Sequence, residues 1–209
     1  MGGKWNRKHQ AHVFGDDPSS ALEQVLLTGE ITGPKDFGFF VTPPDLARRL
    51  VELAELTPTC TVLEPSAGHG ALAEEAAKVV GRTRIQCVEL LDSNVKVLTG
   101  LGFAVHQADF LGMSGFSMPF DCAIMNPPFS VQGDSQADVS HVVHAWGMVK
   151  PKGRLVAIMS AGVSFRDTKK SVAFRELVGQ YGSIEVNPEG SFVASGTNVN
   201  SVMIVLNKP

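Results

Sequence analysis

The chain has 209 residues, 44% of them hydrophobic and 19% charged, with a formal net charge of −3. That length suits one domain with a substantial core, and no apolar run reaches the roughly eighteen residues that a membrane span needs. The slight negative charge excludes a global basic field, so any nucleic-acid contact must come from local clusters.

The first 36 residues are polar and poorly periodic and read as an N-terminal arm, residues 1–36, ahead of one domain over 37–209. Within the arm one short helical stretch is expected near 20–27, which Ser19 or Ser20 can cap with Glu23 placed for a capping box. Lys4, Arg7 and Lys8 beside Trp5 could touch a polyanion, but a tail without regular structure is the plainer expectation. The arm lacks an apolar signal core, so the expected location is cytoplasmic. Thr42 can then cap a helix whose first turn holds Pro43 and Pro44. Leu46, Ala47, Leu50, Leu53 and Ala54 follow at helical spacing.

From residue 60 onward, short apolar runs alternate with helical segments. Strands are expected near 61–64, 84–89, 103–107, 121–125, 154–159, 183–186 and 202–206, and helices near 71–80, 92–99, 137–148 and 171–181. Such alternation implies right-handed βαβ units around a parallel sheet. The last two strands have no helical pattern between them and should form an antiparallel hairpin at one edge. The expectation is an α/β, Rossmann-like fold with a seven-stranded, mostly parallel sheet. Cys60, Cys87 and Cys122 lie in or beside apolar runs and read as free thiols; no metal site is expected, since close Cys/His pairs are missing.

In open α/β sheets, ligands sit beyond the carboxyl ends of the strands. After the first strand comes Glu64-Pro65-Ser66-Ala67-Gly68-His69-Gly70, whose glycines allow close backbone approach and positive φ. By itself this loop also fits a dinucleotide fingerprint, with Ala73 as its third small residue, so a dehydrogenase is a rival reading. The second strand ends in Glu89, where a carboxylate can hold both hydroxyls of a ribose. Asp109 and Phe110 follow the third, an acceptor and an aromatic wall for an adenine ring. The fourth is followed by Asn126-Pro127-Pro128-Phe129, for which a dehydrogenase has no use.

The tetrad suits methyl transfer to an exocyclic amino nitrogen, whose lone pair is delocalised into its ring. Two acceptors on the amino hydrogens can localise that lone pair; the Asn126 side-chain oxygen and the Pro127 carbonyl are the pair available, and the prolines stiffen the turn. Phe129 can stack on an extruded base, a contact of about 1–3 kcal/mol. No strong base is needed, and orientation with electrostatic preorganisation carries the rate.

With these motifs in this order, the sequence resembles the gamma class of adenine-N6 DNA methyltransferases over about residues 37–207. The resemblance implies a class I methyltransferase fold, S-adenosyl-L-methionine as cofactor, and DNA ahead of RNA as the nucleic acid acted upon. It implies that Phe40, Thr42 and Pro43 form an upstream cofactor motif with Thr42 near the methionine carboxylate. Glu64, Pro65, Ala67, Gly68 and Gly70 would surround the methionine portion, with Glu64 near its ammonium. Glu89 would hold the ribose, Asp109 and Phe110 the adenine, and Asn126 would border both cofactor and substrate. Asn126, Pro127, Pro128 and Phe129 would be catalytic, and Phe192 would pack against the target base. Sequence-specific members usually carry a target-recognition domain, and the sequence stops right after the terminal hairpin. Low specificity, a separate specificity subunit, or a small or structured substrate are the expectations. An RNA base, a protein glutamine, or a non-catalytic role as a cofactor-binding partner subunit are the alternatives.

Arg166, Lys169, Lys170 and Arg175 follow the fifth strand and could contact phosphates, although Asp167 and Glu176 dilute the cluster. His141 and His144, three apart on one helix, read as structural rather than metal ligands. The polar segment 130–138 is expected to be a mobile flap over the target base.

Overall fold

The computed structural model of the chain describes residues 4–6, 11–13 and 40–209. Lys4–Asn6 (β1) and Ala11–Val13 (β2) pair as a short antiparallel sheet, where the sequence suggested no regular structure. Arg7, Lys8 and the helix expected near 20–27 lie outside the described residues.

Beyond the arm the elements run Pro44–Leu53 (α1), Val62–Glu64 (β3), Ala71–Val80 (α2), Ile85–Glu89 (β4), Asp92–Gly100 (α3), Ala104–Gln107 (β5), Phe120–Met125 (β6), Ala137–Met148 (α4), Val149–Ser160 (β7), Lys169–Tyr181 (α5), Gly182–Val186 (β8) and Ser201–Asn207 (β9). The large sheet has seven strands in the order β5-β4-β3-β6-β7-β9-β8. Strands β3 to β7 are parallel, while β9 runs antiparallel to both β7 and β8. The terminal hairpin expected from the sequence is therefore present, with β9 inside and β8 at the edge. The strand order reverses between β3 and β6, the place where open α/β sheets hold their ligands.

The central strands read as unbroken apolar runs because helices cover both faces of the sheet. Along β6 and β7 the side chains alternate between two cores. Cys122, Ile124, Val156 and Ile158 pack with α1, α2 and Leu98 of α3. Ala123, Met125, Leu155, Ala157 and Met159 pack with α4 and α5. This is the period of two that a strand imposes on its side chains. Cys87 and Cys122 are buried and Cys60 half-buried, all three free. Burial pushes the two buried thiols well above the usual thiol range.

Two helix starts differ from the sequence expectation. Pro43, not Thr42, is the N-cap of α1, and no side chain caps it; the Thr42 hydroxyl is instead engaged by Asn126. Helix α5 begins two residues early because Thr168 caps it, its side chain accepting from the Ser171 N–H. Among the described residues no helix is long and apolar enough to cross a membrane.

Candidate functional site

The carboxyl ends of β3, β4, β5 and β6 open onto one cavity of about 720 Å³. Its first wall is the loop after β3. Ala67 donates its N–H to the Val88 carbonyl and Gly70 to that of Ala67, which turns the chain tightly into α2. Gly68 and Gly70 both have positive φ, 53° and 86°. A Cβ on Gly70 would also stand 2.9 Å from Leu98, so only glycine serves there.

Two carboxylates face this loop. Glu89, at the end of β4, accepts from the Gly68 N–H at 2.7 Å and from the Leu91 N–H at 2.8 Å. It thus ties the glycine loop to the β4 turn while lining the cavity. Glu64, at the end of β3, is 2% exposed. Its Oε2 is buried with no hydrogen-bond partner among the described residues. Burial pushes this carboxyl well above the ordinary glutamate range, opposed by the Ala73 N–H and reinforced by the charge of Glu89. A buried carboxyl with an unmet oxygen beside a cavity is a ready receptor for a cation or a donor.

After β5, the Asp109 side chain accepts from the Leu111 N–H at 3.1 Å and caps a short turn over Phe110–Gly112. Phe110 is buried, with the His144 ring edge-on at 4.8 Å and the His141 ring tilted at 6.0 Å. Both Asp109 and Phe110 line the cavity.

The tetrad follows β6. Asn126 donates from Nδ2 to the Phe40 carbonyl at 3.3 Å and to the Thr42 hydroxyl at 3.1 Å. A carbonyl oxygen can only accept, so Phe40 fixes which end of the amide faces it. The acceptor end, Oδ1, is turned away from Phe40, on a residue that itself lines the cavity. Phe40 and Thr42 line the same cavity, whereas Pro43 is occupied as the N-cap of α1. Pro65, Ala67 and Pro128 also line it, and Pro127 is buried and not part of its lining. Phe129 is half-buried with the Phe192 ring edge-on at 6.4 Å.

Two expectations need correction. Phe192 is 1% exposed and belongs to the core beneath Phe129, so it supports that ring rather than forming a surface of the cleft. Lys170 is engaged, its ammonium contacting both Asp134 oxygens at 2.7 and 3.0 Å. Arg166 donates to the Ser135 carbonyl at 3.4 Å, and Arg175 donates to the Val163 and Arg166 carbonyls. Of the basic residues after β7, Lys169 is the one left exposed at the start of α5. The segment after the tetrad folds as a small hairpin. Val131 and Asp134 exchange backbone hydrogen bonds around Gly133, whose φ is +87°. Although partial burial opposes its ionisation, hydrogen bonds from Lys170, Ser140 and the Gln136 N–H hold the Asp134 carboxyl at about 2. The Gln136 side chain accepts from Thr168 and Ser171. The hairpin so pinned places Val131 and Gln132 in the cavity wall.

His141, Leu90, Leu91 and Leu111 also line the cavity and were not singled out for it. The two leucines after Glu89 were legible, since residues just past a strand end face the ligand. His141 carried no such signal, because its place depends on how α4 lies across the end of the sheet. Among the described residues no group of three His, Cys, Asp or Glu could hold a metal ion.

No family model matches the chain, and no curated protein matches it. Solved structures share its fold. A modification subunit assigned to a type I restriction enzyme of Vibrio vulnificus YJ016 superposes with a TM-score of 0.70 at 18% identity, covering 96% of this chain and 52% of that one. The type I restriction-modification methyltransferase subunit of Streptococcus thermophilus gives 0.68 at 21% identity, covering 81% and 45%. PH1948 of Pyrococcus horikoshii, assigned as an RNA methyltransferase, gives 0.63 at 20% identity, covering 91% and 98%. The chain spans about half the length of the two restriction-system subunits and nearly all of the third protein. At these identities the likeness is one of fold, and the fold is the class I methyltransferase architecture expected from the sequence.

Proposed function

We propose that this protein is an S-adenosylmethionine-dependent methyltransferase whose acceptor is the N6 amino group of adenine in DNA. The observation that carries the reading is the tethered amide of Asn126. Its nitrogen is held by Phe40 and Thr42, which presents its oxygen as a preset acceptor at the border of a cofactor-sized cavity.

The residues present fit the cofactor. A cavity of about 720 Å³ lies within the range for small-molecule sites, about 300–1,000 Å³. The unmet oxygen of Glu64 suits an α-ammonium. Each Glu89 oxygen accepts one backbone N–H and retains a lone pair for a ribose hydroxyl. Phe110 and Asp109 close the end of the cavity suited to adenine. When bound, S-adenosylmethionine supplies an electrophilic methyl group on a sulfonium.

The chain's own residues prepare the nucleophile. Asn126 Oδ1 accepts one hydrogen of the target amino group, and the Pro127 carbonyl accepts the other. Both pull the nitrogen lone pair out of conjugation. Phe129, braced by Phe192, stacks on the base. Preorganised acceptors of this kind do their work without reorienting during the reaction.

DNA is favoured by the first two fold neighbours, which are modification subunits of type I restriction systems. A separate specificity subunit and a cytoplasmic setting belong to the same reading. An RNA base is the second reading, favoured by the near full-length likeness to PH1948. Incubation with methyl-labelled cofactor and either duplex DNA, ribosomal RNA or protein separates the acceptors. Label recovered as N6-methyladenine in DNA supports the proposal, and label confined to RNA or protein overturns it. Asn126→Ala should keep cofactor affinity and lose turnover at least about a hundredfold; near-normal turnover would refute the tetrad chemistry.

A further inference from the structure

We infer that His141 reads the exocyclic amino group of the cofactor's adenine, accepting one of its hydrogens at Nε2; this rests on the methyltransferase reading above. His141 stands on the first turns of α4, 8% exposed, in the cavity wall. Its Nδ1 lies 2.8 Å from the Ala137 carbonyl, one turn back on the same helix. That oxygen can only accept, so Nδ1 carries the proton, and the neutral ring is left with Nε2 as an acceptor. Burial disfavours the charged ring and holds its pKa below the ordinary histidine value, which keeps the ring neutral. Among the described residues, the contact of Nδ1 with Ala137 is the hydrogen bond that the His141 ring makes.

The surroundings say which ligand group this acceptor meets. His141 flanks the Phe110 ring at 6.0 Å, and Asp109, whose charge acts on His141, stands at the same end of the cavity. One Asp109 oxygen is committed to the Leu111 N–H, and a carboxylate has further acceptor capacity. An aromatic wall with two acceptors beside it matches a planar base bearing two N–H donors on one nitrogen. Adenine offers that group; a 6-oxo purine offers an acceptor in its place and would face two acceptors. Sites built to bind a donor reject the analogue that lacks it.

The test measures dissociation constants of S-adenosylhomocysteine and its 6-oxo analogue, S-inosylhomocysteine, by calorimetry on the full chain. His141→Phe keeps a ring beside Phe110 and removes the acceptor; His141→Gln keeps an acceptor on a flexible stem. The wild type should prefer the adenine nucleoside, and His141→Phe should narrow that preference about five- to tenfold, one hydrogen bond's worth. His141→Gln should keep part of it. Because the readout is a ratio of two affinities, a general loss of binding cancels. An unchanged ratio in both variants overturns the inference while the methyltransferase reading stands. Failure of the wild type to bind either nucleoside overturns both.

Discussion

Replacing Glu64 by glutamine isolates the charge at the head of the cavity. The side chain is 2% exposed, with Oε2 unpartnered, so glutamine matches its volume and keeps an acceptor for the Ala73 N–H. On the proposed reading it loses a charge-assisted hydrogen bond to the cofactor's α-ammonium, about 1.5–3 kcal/mol. The cofactor dissociation constant should therefore rise about ten- to a hundredfold. The ligand-free protein should not suffer, because the substitution removes a group whose ionisation burial opposes. The linkage has a definite sign. With its folded pKa raised, Glu64 contributes stability when protonated, fully present below the ordinary glutamate range and lost as pH rises through the folded value. A bound cation requires the carboxylate. Wild-type affinity should thus increase with pH across the range where Glu64 ionises, with a proton released on binding. Calorimetry in two buffers of different ionisation enthalpy measures both the affinity and the proton. A Glu64→Gln protein that binds within twofold of wild type, together with a wild type that releases no proton, would refute the assignment.

Thr42→Val removes one of the two acceptors holding the Asn126 amide, about 1 kcal/mol of orientation; steady-state turnover should fall about fivefold, with Thr42→Ser restoring it. Asp134→Asn breaks the pair with Lys170 and should cost about 1–2 kcal/mol of stability near neutral pH, a modest figure because both side chains are about a third exposed. The depressed Asp134 pKa means that its contribution is present above the ordinary aspartate range and lost as pH falls towards about 2; urea denaturation of both proteins through that range should show their difference shrinking. Gly182→Ala places a Cβ 1.7 Å from the Val205 carbonyl oxygen, which no rotamer relieves. A loss of about 3 kcal/mol or more, or insoluble protein, is expected by thermal denaturation.

Much of the fold was legible because its signals are local. The bounds of α2 and α4 coincide with the helical runs, and the strands follow the apolar runs within a few residues. Strand β7 is the main exception: it starts at Val149, directly after α4, rather than near 154. Phe120 pairs with Val149 across a register shift and draws the stretch after α4 into the sheet. The positions of Glu64, Glu89, Asp109 and Asn126 at successive strand ends were equally readable, since parallel strands bring their carboxyl ends together whatever lies between them.

The sequence by itself determined the α/β architecture, the terminal hairpin and the edge on which the polar motifs gather, because periodicity and strand direction are properties of neighbouring residues. Only the tertiary structure decided how individual side chains are used. Thr42 suits an N-cap by every local rule, yet its hydroxyl meets Asn126, 84 residues away. Lys170 looked free for phosphate until Asp134, 36 residues away, claimed it. Phe192 was expected to pack against the target base and lies in the core, while His141 looked purely structural and borders the cavity. A side chain forms the contact that packing brings within reach, and that geometry exists only once distant segments have come together.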